Sequence, residues 1–428
     1  MKVYLVGGSV RDILLGLEPK DYDFVVTGAT LEDFKYWEQV GKDFPVFLEP
    51  THKWEVALAR TERKVGKGYT GFETTWEGVT LEEDLSRRDL TVNSMAIEVD
   101  CEETRLIGFP VAIGGVVDPF GGMRDLKDKI LKPTTKAFKE DPIRLLRVAR
   151  FLARYGSEWK VDQSGITYGM EMEHSGELDS LVPERVWLET EKALKEKYPC
   201  EYFKFLLQFY FPLMEIFSSM KTTVEDNPWH QESDVFVHTM MVLEHASKTW
   251  NDPEINFACL LHDIAKPICY AERGNGHGHD KEGVSLVKDF CKKWKVPNNY
   301  RDLAKITCEQ HQRIHGVLGR DTNKMSRPES IMKIFEETSA LTKPERFKKM
   351  LKACESDSKG RIGLSANDEY IQRVYLEECL QAVLDFNPKP LTQKLLTQGK
   401  SGIIIGQEIR AARINEIRKV QNVWKNKL

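Results

Sequence analysis

Two aspartates near the amino terminus, separated by a single residue, carry the first chemistry that the sequence suggests. Asp21 and Asp23 lie just ahead of the apolar run 24–26. In a strand, residues i and i+2 point to the same face, so this pair would present two carboxylates together. Hard oxygen ligands of this kind bind Mg²⁺, which in turn coordinates phosphate groups. The pair therefore favours nucleotidyl or phosphoryl transfer.

A pair of glycines upstream of these aspartates predicts a phosphate site. Gly7 and Gly8 separate an apolar run, residues 2–6, from a segment with helical spacing, residues 9–17. Glycine lets the backbone come close to a ligand, and the start of a helix offers unpaired N–H groups beside the positive end of its dipole. A glycine pair or an Asp-x-Asp pair alone is common, but the two in this order, with Arg11 between them, are much more specific.

A third carboxylate would complete a two-metal site, and Glu55 is the candidate. The segment 54–60 alternates, so Glu55 shares one strand face with Ala57 and Ala59, whose small side chains leave room for a ligand. A surface glutamate would fit this spacing equally well, so both interpretations stay open.

Two adjacent arginines farther along the chain form the next candidate group. In Arg87-Arg88-Asp89, the guanidinium groups can clamp phosphate, and the carboxylate of Asp89 can accept a hydrogen bond from a ribose hydroxyl. A solvated cluster of opposite charges would have the same spacing, and the spacing alone favours that interpretation.

An aspartate and an arginine three residues apart could distinguish bases. The carboxylate of Asp141 only accepts hydrogen bonds, and the guanidinium of Arg144 only donates them. Cytosine presents an N4 amino donor beside its N3 acceptor, and adenine presents an N6 donor beside N1, so one Asp–Arg pair could read both. Guanine and uracil present a ring N–H beside a carbonyl and would be rejected. An ordinary ion pair at the start of a helix is the alternative.

The composition limits the classes of protein to which the chain could belong. Its 428 residues suggest two to four domains, and a net charge of −4 gives no sign of a generally basic surface for nucleic acid. The eight cysteines include no C-x-x-C pair, which favours reduced thiols in a cytoplasmic protein. We expect neither a signal peptide nor a membrane span, because charges interrupt every long apolar run.

The patterns that must position these residues change near residue 135. Strand-like and helical runs mix before that point, with a glycine-rich, basic segment at 66–71 that predicts a mobile loop. Helical periodicity follows, and it begins with arginines three and four residues apart, which we expect to form one cationic face for RNA phosphates. The predicted strands are 2–6, 24–26, 44–48, 54–59 and 94–99, and the arginines are Arg144, Arg147, Arg150 and Arg154.

These motifs together resemble those of a known family. They stand in the order found in class II tRNA nucleotidyltransferases, the CCA-adding enzymes. The segments 39–48, 59–64 and 68–72 are similar to the bacterial multifunctional members of that family, and the resemblance covers nearly the whole chain. The motifs that carry it are Val6-Gly7-Gly8-x-Val10-Arg11-Asp12, Lys20-Asp21-x-Asp23, Arg87-Arg88-Asp89-Leu90-Thr91 and Glu140-Asp141-Pro142-x-Arg144.

A second candidate site lies in the histidine-rich part of the chain, since eight of the ten histidines fall between residues 230 and 315. His262 and Asp263 follow an apolar helical run and resemble the centre of the HD phosphohydrolase motif. Imidazole with carboxylate suits divalent ions, so Ni²⁺, Mn²⁺ and Mg²⁺ are all open. The other members of the motif would be His238 and Asp357, with His279 and His311 as further candidate ligands for a second metal.

The roles of several residues around that motif are not assigned by the sequence. HD proteins often have a glycine where this chain has Ala265, a change that a helix tolerates, and Lys266 remains available for phosphate. His245 would either support the ligands or belong to the core. No role is predicted for His230, His277 or His315.

The resemblance implies an α+β fold with a polymerase-β-like nucleotidyltransferase head, built of a mixed sheet and helices, followed by all-α neck and body, HD and tail domains. The implied ranges are 1–134 for the head, 135–225 for the nucleotide-selecting and RNA-binding neck and body, 226–365 for the HD domain and 366–428 for the tail. Residues 101–117 look longer than the family's turn, and we expect an extended hairpin there.

The resemblance also implies two activities. The first is addition and repair of the 3′-terminal CCA of tRNA from CTP and ATP, and the second is metal-dependent hydrolysis of 2′,3′-cyclic phosphates, 2′-nucleotides and phosphomonoesters by the HD domain. Asp21 and Asp23 would hold Mg²⁺, with Glu55 as the third catalytic candidate. The nucleotide would contact Gly8, Arg11, Arg88, Asp89, Asp141, Arg144 and Arg147, and tRNA would contact Arg150 and Arg154.

Three alternatives remain at the level of sequence. A poly(A) polymerase shares the head motifs but needs a basic extension that the chain lacks. A partial enzyme would add only CC or only A. The loop 60–72 favours full CCA addition over this alternative. A protein of another class would keep the head as an RNA-binding module and leave only the HD site active. In all cases we expect tRNA as partner, no membrane, and a monomer or homodimer.

Overall fold

The computed structural model describes residues 1–40, 45–64, 72–224, 234–318, 325–362 and 369–427. The chain forms two compact units, of which the first contains the sheet and the second is helical. The first consists of Met1–Ala193 and Glu201–Met214, and the second of Leu194–Cys200 and Glu215–Leu428. The predicted loop at 66–71 and His230 lie outside the described residues.

Short strands of the first unit build one large mixed sheet and two small ones. In the described residues the large sheet has seven strands in the order β3-β4-β5-β2-β1-β8-β9, and the two small sheets pair β6 with β7 and β10 with β11. The strands are β1 Lys2–Val6, β2 Asp23–Thr27, β3 Glu38–Gln39, β4 Val46–Leu48, β5 Glu55–Leu58, β6 Thr61–Lys64, β7 Phe72–Thr75, β8 Ala96–Val99, β9 Ala112–Val117, β10 Ile130–Leu131 and β11 Lys160–Val161.

The register of the central strands brings two predicted carboxylates together. β2 runs antiparallel to β1 and parallel to β5, and in the second pairing Asp23 lies opposite Glu55. The first residue of β2 is Asp23, so Asp21 lies in the bend before the strand rather than in the strand as predicted. The five predicted strands all contain strand residues, although most are shorter than their apolar runs.

Eight α-helices precede residue 210 in the described part of the chain. The longest of them, α5, buries an apolar face that includes Leu145, Leu146 and Phe151, while its arginines recur on another face. The helices are α1 Gly8–Leu14, α2 Leu81–Ser86, α3 Cys101–Ile107, α4 Gly122–Lys127, α5 Ile143–Tyr155, α6 Gln163–His174, α7 Pro183–Leu194 and α8 Pro199–Leu206.

The expectation of an extended hairpin over 101–117 was wrong for its first half. Residues 101–107 form α3, and only β9 pairs with β8 as an antiparallel strand. The Asp100 side chain accepts a hydrogen bond from the backbone N–H of Glu103, which caps the helix, and Gly108 ends it in a left-handed conformation. A capping aspartate followed by acidic residues stabilises a helix start, and this signal outweighs the strand pattern.

The second unit packs helices against one another, and small residues set how closely they approach. A Cβ atom on Gly360, just after α16, would lie 2.4 Å from the Cα of Val242 in α10, so only glycine fits there. None of the described helices is both long and apolar enough to cross a membrane. The helices are α9 Glu215–Lys221, α10 Val235–Trp250, α11 Pro253–Leu261, α12 Lys266–Arg273, α13 His279–Lys293, α14 Asn298–His315, α15 Pro328–Glu337, α16 Pro344–Lys359, α17 Ile371–Asp385, α18 Lys389–Thr397 and α19 Gly402–Lys427.

Candidate functional site

A cleft in the first unit brings together most of the predicted nucleotide-binding residues. Its volume is about 470 Å³, and its walls come from the turn before α1, the start of β2, the segment after α2, and helices α5 and α7. Its lining includes Gly8, Arg11, Asp23, Arg88, Asp89, Asp141, Arg144, Arg147, Arg150 and Arg154, together with Arg87 and Arg185, so eight arginines face one space. Such a concentration of guanidinium groups suits a polyphosphate.

Of the three carboxylates predicted to hold a metal, Asp23 lines this cleft, whereas Asp21 and Glu55 are not among its lining residues. The hydroxyl of Ser9 in α1 donates to the backbone carbonyl of Asp21 at 2.8 Å, which ties the aspartate segment to the glycine turn. Partial burial raises the pKa of Asp23, and the carboxylates of Glu55 and Asp21 raise it further. Because ionised carboxylates disfavour one another at this spacing, a divalent cation would be stabilised among them. Among the described residues these three carboxylates do not form a group whose ligand atoms lie close enough together for one ion, so both the binding of Mg²⁺ by Asp21 and Asp23 and the role of Glu55 stay predictions.

The glycine turn packs against an arginine of the cleft. Gly7 has a φ of +70°, and a Cβ atom on it would lie 2.9 Å from Nη1 of Arg88. Arg88 also donates to Oδ2 of the fully buried Asp84 at 3.1 Å, while Arg87 donates to Oδ1 of the same carboxylate at 2.7 Å. Glycine is thus required because the guanidinium occupies the space of a side chain. The sequence reasoning missed Asp84, which holds both arginines.

Arg11 is fixed before any ligand binds. Its Nε and Nη2 donate to Oδ1 of Asp12 at 2.9 and 2.8 Å, and its Nη1 donates to Oδ1 of Asn93 at 2.6 Å. The guanidinium also lies 5.1 Å from the ring centroid of Phe151. This side chain is buried, so its charge is kept in place by its neighbours rather than by water.

Asp89 holds a second arginine. Its Oδ2 accepts from Nε of Arg147 at 2.8 Å, and its Oδ1 accepts from Nδ2 of Asn93 at 2.9 Å. Burial alone would raise the pKa of Asp89, but the guanidinium of Arg147 and the amide of Asn93 hold it well below its usual range. The predicted contact with a ribose hydroxyl stays a prediction, because the contacts observed assign both carboxylate oxygens to neighbouring side chains.

Asp141, one half of the predicted base-reading pair, is gripped by an arginine that the sequence reasoning missed. Arg185 in α7 donates to Oδ1 and Oδ2 of Asp141 at 3.1 and 2.7 Å. Arg144 donates instead to the backbone carbonyl of Ala137 at 2.9 Å, and both members of the predicted pair line the cleft. A bidentate contact fixes the plane of a carboxylate, so Arg185 sets the direction in which Asp141 can accept.

The two arginines predicted to contact RNA also lie in the cleft. Arg150 donates to Oε2 of Glu189 at 2.7 Å, and Arg154 donates to Oδ2 of Asp12 at 3.1 Å. Their side chains are 12% and 26% exposed, and with Arg144 and Arg147 they line one cleft. Their contact with RNA stays a prediction, and any phosphate that reached them would lie within the cleft.

A separate cluster of buried histidines and aspartates lies in the second unit. Helix α10, the end of α11, the start of α13, and helices α14 and α16 each contribute at least one member. The ligand atoms fall into two groups that could each hold a metal ion: His238 with His262 and Asp357, and Asp263 with His279 and His311. All six residues are buried and all six were predicted from the sequence.

Backbone carbonyls orient three of these histidines. Nδ1 of His262 lies 2.6 Å from the carbonyl oxygen of Cys259, and Nδ1 of His279 lies 2.6 Å from that of Gly276. His311 makes the same contact to Cys308 at 2.8 Å. An imidazole that donates from Nδ1 presents an unprotonated Nε2, which is the form that binds a metal.

The Nε2 atoms and carboxylates converge. Nε2 of His279 lies 3.0 Å from Oδ1 of Asp263, and Nε2 of His238 lies 3.1 Å from Oδ1 of Asp357. Nε2 of His262 lies 3.1 Å from Oδ2 of Asp263, but among the described residues neither this nitrogen nor Oδ1 of Asp263 makes a well-directed hydrogen bond, and both atoms are buried. Buried polar atoms without partners are costly, and a divalent ion bound by nitrogen and oxygen would satisfy them. The residues present therefore fit a divalent metal.

Cationic groups border this cluster. Nζ of Lys266 lies 2.9 Å from Oδ2 of Asp263, and Nη2 of Arg361 lies 2.7 Å from Oδ1 of Asp357. Burial alone would raise the pKa of Asp357, but the nearby Arg361 and His262 hold it well below its usual range. Both cations could meet the phosphate of a substrate.

Three further histidines of the second unit differ in their surroundings. His315, for which no role was predicted, contacts Oδ2 of Asp357 through Nε2 at 2.7 Å, and the hydroxyl of Tyr370 lies 2.9 Å from its Nδ1. His245 lies 3.1 Å from the hydroxyl of Ser356 and belongs to neither metal group. His277 is exposed. Sequence spacing could not have found His315, because its role depends on where α16 brings Asp357.

Two family models match parts of this chain. The sequence profile of the Poly A polymerase head domain matches residues 3–132, and that of the HD domain matches residues 235–341. A Multifunctional CCA protein from Pasteurella multocida (strain Pm70) is 41% identical over 436 residues, which cover 98% of this chain and 97% of that protein.

Solved structures of CCA-adding enzymes share the fold. An apo form aligns over 97% of this chain and 88% of its own with a TM-score of 0.65 and 20% identity. A complex with CTP aligns over 97% and 87% with a TM-score of 0.63 and 21% identity. The Thermotoga maritima enzyme complexed with tRNA aligns over 99% and 90% with a TM-score of 0.58 and 18% identity.

The geometry of the histidine cluster predicts a measurable metal site. We expect His262→Asn to weaken the binding of Mn²⁺ or Ni²⁺ by roughly 100-fold or more, since removing a partner of a ligand already weakens binding 10- to 100-fold. Metal content after dialysis against a fixed free-metal concentration measures this. His245→Asn is the matched control and should retain the metal. Equal metal content in both variants would contradict the assignment.

Proposed function

Because this chain belongs to the family of multifunctional CCA proteins, we propose that it adds the 3′-terminal CCA to tRNA from CTP and ATP without a nucleic-acid template. The observation that carries this proposal is one cleft in which Asp23, the arginines and the Asp141–Arg144 pair meet. The fold is shared with CCA-adding enzymes solved with ATP, with CTP and with tRNA.

The proposed chemistry is an in-line attack of the tRNA 3′-hydroxyl on the α-phosphate, with pyrophosphate as the leaving group. Asp21 and Asp23, with Glu55 as the further candidate, would hold Mg²⁺, which when bound lowers the pKa of the attacking hydroxyl and offsets charge on the phosphates. Arg88 and Arg11 approach the cleft already fixed by Asp84 and Asp12, so they can bind the triphosphate without first being ordered.

Selection between bases would depend on Asp141 and Arg144. The carboxylate accepts from the exocyclic amino group of cytosine or adenine, and the guanidinium donates to the neighbouring ring nitrogen. Guanine and uracil would place a carbonyl against the carboxylate and a ring N–H against the guanidinium. Both contacts would then be unpaired in a partly buried site, which is how polar sites reject a ligand.

The other candidate functions have less support. A poly(A) polymerase would share the head, but a relative that is 41% identical over 98% of this chain is a Multifunctional CCA protein. A purely RNA-binding head would have no use for the carboxylate of Asp23 in the cleft whose arginines suit a triphosphate. The incorporation experiment below distinguishes a partial CC- or A-adding enzyme from an enzyme that adds the complete CCA.

We further propose that the chain works in the cytoplasm as a monomer or homodimer. All eight cysteines are free thiols, which suits a reducing compartment. The proposal for the second unit is a metal-dependent phosphohydrolase that acts on 2′,3′-cyclic phosphates, 2′-nucleotides and phosphomonoesters. Lys266 and Arg361, which lie beside the two metal groups, would bind the phosphate there.

Incorporation into a tRNA that lacks CCA tests the first activity. We expect labelled CTP and ATP together to yield the complete end, while UTP and GTP are not incorporated. The double variant Asp21→Asn, Asp23→Asn should lose roughly 10³-fold or more in rate, since a catalytic metal supplies several kcal/mol. Asp128→Asn, an exposed aspartate of the same unit, is the control. If both nucleotides are supplied and only CTP is incorporated, or if long poly(A) products form, the proposal is contradicted.

Loss of the clamp on Asp141 should relax base selection. In Arg185→Met the carboxylate loses both hydrogen bonds, and we expect the ratio of kcat/KM for CTP over UTP to fall roughly tenfold, about 1.4 kcal/mol. Arg185→Lys keeps the charge but not the bidentate contact and should also relax selection. An unchanged ratio with a raised KM for every nucleotide would show that Arg185 serves phosphate binding instead.

Hydrolysis of 2′,3′-cyclic AMP tests the second activity. With Ni²⁺, Mn²⁺ or Mg²⁺ supplied separately, the wild-type chain should open the ring and release the phosphate, and His262→Asn should abolish this while CCA addition continues. The pair of variants, His262→Asn and the Asp21/Asp23 double variant, should each lose one activity only. If neither metal nor His262 affects hydrolysis, the proposed phosphohydrolase is wrong.

A further inference from the structure

A concave basic surface lies on the second unit, away from the histidine cluster. Its volume is about 660 Å³, and its walls are the last part of α13, the turn that follows, and the first turns of α14. We name it the α13–α14 basic pocket. Its cationic lining residues are Lys288, Lys292, Lys295, Arg301 and Lys305.

The lysines of this pocket are not neutralised by carboxylates. The pocket has one acidic lining residue, Asp302, which accepts a hydrogen bond from Arg301 at 2.8 Å and lies 3.7 Å from Nη1 of Arg346. In the described part of the chain, none of the four lysines is in an ion pair. In the nucleotide cleft, by contrast, Arg11, Arg88, Arg147 and Arg150 each contact a buried carboxylate. Four like charges that line one concavity raise the local positive potential, which attracts an anion.

The spacing of the cations suits a polyanion. Lys288 and Lys292 are four residues apart on α13, and Arg301 and Lys305 are four residues apart on α14, so each pair is separated by roughly 6 Å along its helix. Lys295 extends the first row from the turn, where its backbone is left-handed with a φ of 55°. Two rows of regularly spaced cations match charges repeated along a strand better than a single phosphate.

The floor of the pocket offers no means of reading bases. Cys291 and Val296 are buried there, and no aromatic side chain lines the pocket, so base stacking is not available. Recognition would therefore use the sugar–phosphate backbone alone, which is the mode that long, flexible lysines serve.

We propose that the α13–α14 basic pocket binds the phosphate backbone of RNA and holds a strand whose end enters the histidine cluster. His279 and His311 lie at the other end of this helix pair, and Lys292 follows His279 by thirteen residues, roughly 20 Å along α13. This distance corresponds to a few nucleotides of an extended strand. The choice of RNA among polyanions rests on the proposed function, whereas the pocket itself does not.

Lysine footprinting of the full chain tests this site. The chain is acetylated with an amine-reactive reagent, alone and with a tRNA that lacks CCA, and the extent at each lysine is measured by mass spectrometry. We expect tRNA to reduce the acetylation of Lys288, Lys292 and Lys305 several-fold and to leave the exposed Lys343 unchanged. CCA addition by the same preparation is measured in parallel, so failure of the proposed function is distinguished from failure of this site.

A charge-neutral variant adds a quantitative measure. For Lys288→Gln, Lys292→Gln, Lys305→Gln we expect weaker tRNA binding and a slope of log K against log salt that is smaller by about 2, near 0.7 for each lost phosphate contact. Hydrolysis of 2′,3′-cyclic AMP should be unchanged, since a mononucleotide does not reach the pocket. The matched control carries the same loss of charge on exposed lysines outside the pocket: Lys293→Gln, Lys343→Gln, Lys400→Gln.

Each other outcome would overturn the proposal. Equal acetylation with and without tRNA would show that RNA does not contact the pocket. Protection by inorganic pyrophosphate as strong as that by tRNA would assign a small-anion site, and equal protection by polyglutamate would assign an acidic protein partner. An identical salt slope in the pocket variant and the control would show that the lysines act only through net charge.

Discussion

The nucleotide cleft depends on ion pairs between arginines and buried carboxylates. Eight guanidinium groups in one cleft would repel one another. The buried carboxylates of Asp12, Asp84 and Asp89 offset that repulsion through ion pairs. Each pairing uses only part of a guanidinium, whose five donors cannot all be satisfied by one carboxylate. The remaining donors are therefore held toward the cleft in fixed directions, which reduces the entropy lost when a triphosphate binds.

The metal cluster of the second unit depends on close helix packing. Only glycine fits where α16 ends beside α10, and this approach brings Asp357 to His238. A Cβ atom on Gly283 of α13 would lie 2.4 Å from the sulfur of Cys308 in α14, so glycine is needed there too, and His279 and His311 meet as a result. Backbone carbonyls then fix the imidazole tautomers, and the site is organised before a metal arrives.

The chain thus presents positive charge in two ways. Arginines of the cleft are half-buried, paired and rigid, which suits one small ligand that must be placed accurately for reaction. Lysines of the α13–α14 basic pocket are mostly exposed and in no ion pair within the described residues, which suits a flexible strand bound without regard to sequence. The net charge of the chain, −4, indicates neither of these two cationic sites, because carboxylates elsewhere in the chain balance their charge.

The sequence by itself indicated the family and a mixed sheet followed by helices, and it named all six residues of the two candidate metal groups, because the motifs that carry the family resemblance are visible without the fold. It did not reveal the roles of Arg185, Asn93 and His315, since each contacts a site residue that is distant along the chain. The role of Asp84 was missed too, because it depends on the turn after α2. It also predicted one cationic face for Arg144, Arg147, Arg150 and Arg154, and the fold places all four in the nucleotide cleft, where Arg150 contacts Glu189 and Arg154 contacts Asp12. Helical spacing specifies which residues share a face, but only tertiary packing decides what that face meets.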